Sequence, residues 1–162
     1  MKKLLLVTAL VFPLIGYSQP NNDEGKMVGG WRVFASDKDV TSVLRSKDNF
    51  ADMDLFCDKS HMEISVYLKK KPEDGELAHF DVVIDGQTVS DEGWLSNHRT
   101  RSTTVKTENA AFIKKLSDHK EITFSYTLAN QPKRDVVFDL SELETVMNNA
   151  NQVCQLDLSK YE

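Results

Sequence analysis

From Asp52 to Leu68 the chain alternates in polarity with a single short interruption. Met53, Leu55 and Cys57 take every second position; after Asp58-Lys-Ser60 the apolar residues Met62, Ile64, Val66 and Leu68 alternate with His61, Glu63, Ser65 and Tyr67. Side chains two apart on a strand share a face, so each run reads as a strand with one side toward a core. A brief polar connection with Asp58, a good turn residue, makes the two runs a β-hairpin. Cys57 then stands at a strand end and faces inward.

The same period recurs along the chain. Trp31, Val33 and Ala35 fall on one side of a strand, and β-branched Asp39–Arg45 forms another. Lys69–Gly75 is a polar loop, and Phe80–Ile84 is a strand that ends in the turn dipeptide Asp85-Gly86. The Thr-rich run Arg99–Val105 is polar on both faces, which predicts an edge strand. In Glu108–Leu116 the spacing of Phe112, Ile113 and Leu116 is helical. Ile122, Phe124, Tyr126 and Leu128 alternate again, and Asp135–Phe138 follows as a strand. Ser141-Glu-Leu-Glu144 has the form of a capping box opening a helix, with Leu143, Val146, Met147, Ala150, Val153 and Cys154 on one face. The expected fold is mainly β (α+β). An antiparallel, β-sandwich-like sheet carries a short internal helix and a C-terminal helix, all within one domain over residues 30–158.

The first residues set the compartment. Met-Lys-Lys, an apolar run to Ile15 and the small residues Gly16 and Ser18 have the form of a cleaved signal peptide over residues 1–18. The run is shorter than the about twenty apolar residues a membrane span requires, so the mature chain is not expected to insert. Residues 19–29 carry little that can pack and read as a flexible leader. Export makes the localisation periplasmic or secreted, and thiols in an oxidising compartment pair where geometry allows. Cys57 and Cys154 are the two candidates. Their disulfide would close nearly the whole domain and, by the chain-entropy argument, could stabilise it by roughly 4 to 5 kcal/mol. A zinc site would want four ligands at a spacing this chain lacks, and a nucleophile would need a free thiolate. The C-terminal helix is therefore expected to be tied to the central hairpin.

Chemistry is sparse. The 162 residues have a formal net charge of −5, more negative once Lys2 and Lys3 depart, which argues against nucleic acid and anionic lipid as partners. Phosphate-cradling glycine loops and nucleophile elbows are absent from the sequence, and none of the four histidines sits in a catalytic motif. No metal, cofactor or catalytic residue is expected. His61, Glu63 and Tyr67 point the same way along one strand and read as a solvated sheet face. Paired acids of a glycosidase are set by spatial spacing, so a small hydrolase with carboxylates in a cleft stays open at this stage. For partner binding the candidates are Arg99 and Arg101, on one face of the expected edge strand, and Trp94. Trp31 reads as core.

The order of elements resembles the VasI/TagO-like accessory proteins associated with type VI secretion. The likeness rests on Trp31-Arg-Val33, Leu55-Phe-Cys57, Val83-Ile-Asp85 with Trp94-Leu-Ser96, Phe112 to Leu116, and Val137-Phe-Asp-Leu-Ser-Glu-Leu143 running to Cys154. It departs where an Arg often precedes the Asp of the central strand, and at Ser141, where a Gly often opens the last helix. The resemblance implies an envelope protein of a Gram-negative bacterium, a helper in secretion with a protein partner and no catalytic residues. The expected function is thus a non-enzymatic periplasmic accessory or binding protein. A periplasmic inhibitor or immunity module against a cell-wall hydrolase is the alternative.

Overall fold

The computed structural model describes residues 25–69, 75–89, 95–99 and 102–157. In chain order the strands are β1 (Lys26–Val28), β2 (Trp31–Ala35), β3 (Asp39–Arg45), β4 (Ala51–Asp58), β5 (Met62–Lys69), β6 (Leu77–Ile84), β7 (Gln87–Val89), β8 (Leu95–Arg99) and β9 (Ser102–Thr107). Helix α1 (Ala110–Leu116), β10 (Glu121–Leu128), β11 (Arg134–Asp139) and helix α2 (Leu143–Cys154) follow. They form a seven-stranded sheet ordered β1-β2-β3-β4-β5-β9-β8 and a four-stranded sheet ordered β11-β10-β6-β7. All pairings are antiparallel. This is the mainly β, sandwich-like architecture that the alternation predicts.

Register turns the alternation into rows. Cys57 lies opposite Val40 and Met62, Leu55 opposite Ser42 and Ile64, and Met53 opposite Leu44 and Val66. Val66 continues to Val105 and Leu44 to Trp31, so this row of the large sheet is apolar across five strands, and its residues are buried. A slip of one residue would turn every row outward, which fixes the register. In the small sheet Ile122 sits between Ile84 and Phe138, and Phe124 between Val82 and Val136. The rings of Phe124 and Phe138 meet edge to face at 6.1 Å, a favourable aromatic geometry. Both sheets and both helices share one continuous core.

Helix α1 starts where the Asn109 side chain accepts a hydrogen bond from the Phe112 amide at 3.1 Å, and it packs Phe112, Ile113 and Leu116 inward. Helix α2 lies over β2, β3 and β4 and buries Leu143, Val146, Met147, Ala150 and Cys154. Its last residue is bonded to Cys57 at the end of β4, across a sequence separation of 97 and a Cα–Cα distance of 6.1 Å. Both sulfurs are fully buried.

Three local expectations change. The expected leader over 19–29 gives way to a strand at Lys26, because Gly29-Gly30 makes a two-residue turn that returns β1 onto β2. Gly29 has φ +55 and lies against the Glu142 side chain, so any larger residue there would be strained and would collide. The single edge strand expected over Arg99–Val105 is a hairpin, with β9 interior and β8 at the edge. The capping box does not form. Asp139 Oδ1 accepts from the Ser141 amide at 3.0 Å and the Ser141 hydroxyl at 2.6 Å, drawing that side chain backward, and Glu142 becomes an N-cap that makes no side-chain bond.

Candidate binding face

The registers that bury one side of the large sheet turn the other side outward, where Met27 and Arg32 are exposed, Asp54 is half-buried and Ser65 is buried. One outer row runs Met27, Arg32, Val43, Asp54, Ser65 and Lys106 across six neighbouring strands. A second runs Phe34, Thr41, Phe56 and Glu63, and a third Arg45, Asp52 and Tyr67. Alternation thus builds two regions side by side: an apolar and cationic end on β1–β3 and an acidic middle on β4 and β5.

At the β1–β3 end the surface sinks into a concavity of about 340 Å³ lined by Met27, Gly30, Arg32, Phe34, Val43 and Arg45. Met27 is 54% exposed, and Met27 and Phe50 are the two large hydrophobic residues left open to solvent among the described residues. The Gly25 backbone passes directly over the Arg32 stem and the Phe34 ring, where a Cβ would come within 2.8 Å of both. Arg32 has no acidic partner among the described residues. Arg45 donates from Nε to Asp52 Oδ1 at 2.9 Å.

The acidic middle is bonded in some places and bare in one. Burial pushes the Asp52 carboxyl up, but hydrogen bonds from Arg45 and Lys69 outweigh it and hold the group below the usual carboxylate range. Asp54, two residues on and on the same face, makes no hydrogen bond or ion pair among the described residues. Burial and the neighbouring Asp52 charge raise it to about 6. Glu63 is pushed up by burial and pulled down further by Lys106 at 2.9 Å and the Ser65 hydroxyl at 2.7 Å. Lys106 also bonds Glu108 at 2.7 Å, and the two acids raise its pKa.

Carboxyls driven in opposite directions are the pattern of an acid–base pair. Asp52 and Asp54 nevertheless stand half-buried on the sheet face, and they line neither the concavity at β1–β3 nor a second one beside Phe50. The second concavity, of about 270 Å³, is lined by Asp48, Phe50, Tyr126, Arg134, Asp135 and Val136. There the Arg134 guanidinium lies 5.4 Å from the Phe50 ring centre, a cation–π contact with acids on either side. Among the described residues no group of three or more His, Cys, Asp or Glu could hold a metal ion. No described helix is long and apolar enough to cross a membrane.

The residues singled out in the sequence are scattered. Cys57 and Cys154 are joined and structural. Trp31 is fully buried beneath α2, with its Nε1 lacking a hydrogen-bond partner among the described residues. Arg99 ends edge strand β8, while Trp94 and Arg101 lie outside the described residues. His61 packs at 5.5 Å against Phe56 and lies 3.2 Å from Asp58, so the His61, Glu63 and Tyr67 side belongs to the same outer face, with the first two already engaged. Sequence reasoning missed the concavity, since it needs β1. The pair Gly29-Gly30 between two short apolar runs was the available signal. Against this geometry, no known protein family, no curated protein and no solved structure matches the chain.

Proposed function

We propose that the protein is a non-enzymatic binding protein of the periplasm, an accessory of a type VI secretion system that engages a protein partner through the outer face of its large sheet. The observation that carries the binding reading is the open concavity at β1–β3, where exposed Met27 and Arg32, which has no ion-pair partner among the described residues, stand beside a sheet surface whose other charges are largely bonded to one another. An apolar floor with a cation left over is a surface short of a partner. The buried disulfide and the apolar leader support export. Assignment to type VI secretion rests on the sequence resemblance through Trp31-Arg-Val33, Leu55-Phe-Cys57 and the final strand and helix.

The test is affinity capture from a periplasmic extract with the mature protein. Retention of membrane-complex components of the secretion apparatus is expected, and recovery of abundant unrelated proteins alone would remove the reading. The inhibitor alternative has one structural observation in its favour, the open edge at β8 that ends in Arg99. It predicts that the purified protein slows a cell-wall hydrolase in a turbidity assay.

A further inference from the structure

We infer that the β1 side of this concavity receives an extended, acidic segment of a partner protein, laid beside β1 as an additional strand with an apolar side chain against Met27 and an acidic one toward Arg32. This deepens the binding reading above by naming what the partner presents. Three observations lead to it. First, β1 is a three-residue edge strand paired on one side to β2 and on the other to no described residue, and such an edge can accept a chain by main-chain hydrogen bonding. Second, the outward positions mix apolar and cationic side chains, with Arg32 beside Met27 and Phe34 and Arg45 beside Val43, which suits a ligand that presents apolar and acidic side chains together. Third, the charge is inverted locally: the chain as a whole is at −5, yet among the described residues those lining this concavity include two arginines and no acid. Arg45 has its Nε committed to Asp52, and Arg32 has its whole guanidinium available among the described residues. A cationic rim around an apolar floor favours an acidic segment and disfavours a basic one.

Methionine methyl resonances read this directly. Met27 is open to solvent, whereas Met53, Met62 and Met147 are buried and serve as controls of the fold. The mature protein, labelled at methionine methyls, is titrated with a capped pentapeptide alternating glutamate with leucine, and separately with its lysine counterpart. The expected result is a saturable shift of the Met27 methyl by the acidic peptide, with the lysine peptide about three- to tenfold weaker. Arg32→Glu should reverse that order while the buried methyls stay in place.

No saturable shift, equal response to both peptides, or an unchanged preference in Arg32→Glu would overturn the inference. So would a Met27 shift that grows with protein concentration alone, which would assign the groove to a second copy. A shift produced by dodecanoate but not by peptide would assign it to an acyl chain. A shift caused in the free protein by Asp23→Ala with Glu24→Ala would assign it to the chain's own preceding residues. The peptide result does not depend on the secretion system, so loss of one reading leaves the other testable.

Discussion

The two faces of the seven-stranded sheet are built from the same strands and obey opposite rules. Under α2 the rows are buried and mostly apolar, with Ser42 the polar exception on β3, and a covalent bond from Cys57 to Cys154 holds the cover in place. On the other side, the same strands present exposed Met27 together with Arg32 and Asp54, neither of which has an ion-pair partner among the described residues. A face already covered by its own helix has nothing left to recognise. The uncovered face keeps apolar surface and charge that folding does not use, and the staple lets it do so by moving stability elsewhere.

If that division holds, the largest loss comes from the covered side. Cys154→Ser should destabilise the protein by about 4 kcal/mol, since the bond closes a 97-residue separation, and should leave the outer face able to bind. Differential scanning calorimetry of wild type and variant, oxidised and reduced, reads this. Equal melting temperatures in all states would refute it. Leu55→Ala, one row in from the staple, removes a fully buried side chain and should cost about 2 to 5 kcal/mol in a denaturant titration.

The acidic middle should give a smaller effect of opposite sign. The Asp54 carboxyl titrates near 6 in the folded protein and near 4 when unfolded, so the folded state binds more protons between those values. Its contribution to stability therefore falls as pH rises from about 4 to about 6 and remains unfavourable above. Asp54→Asn should stabilise the protein at pH 7 by about 1 kcal/mol, a figure reduced because water still screens one side of the group, and the gain should vanish near pH 4. Smallest of all, Met27→Ser should change stability by less than about 0.5 kcal/mol, because that side chain is open to water. A loss above 2 kcal/mol would mean that β1 belongs to the core.

What was legible in the sequence follows the same boundary. Rows such as Met53, Leu55, Cys57 and Met62, Ile64, Val66 are visible because burial enforces the alternation, and the staple follows from export and the inward position of Cys57. The outer face has no such constraint, so its sites depend on register between strands distant in sequence. That Arg32 meets Met27 on one side and Val43 on the other is decided by two turns, and the Gly29-Gly30 cue follows a strand of only three residues, too short to show a period of its own. Ser141 misled for a related reason. Its hydroxyl had two local partners to choose from, and Asp139 at the end of β11 is nearer than the first turn of α2. The Thr-rich strand β9 is interior because β8 covers it, and β8 follows a stretch whose sequence holds few period-two cues.

The division of labour between the two faces can be put to one measurement, retention of the envelope partner by the double variant Met27→Ser with Arg32→Glu, at a temperature where wild type and variant are both fully folded. Retention should be lost while the melting temperature stays within about 2 °C of wild type, since neither side chain is part of the core. Full retention by a folded variant would contradict the account and move the functional surface away from β1–β3.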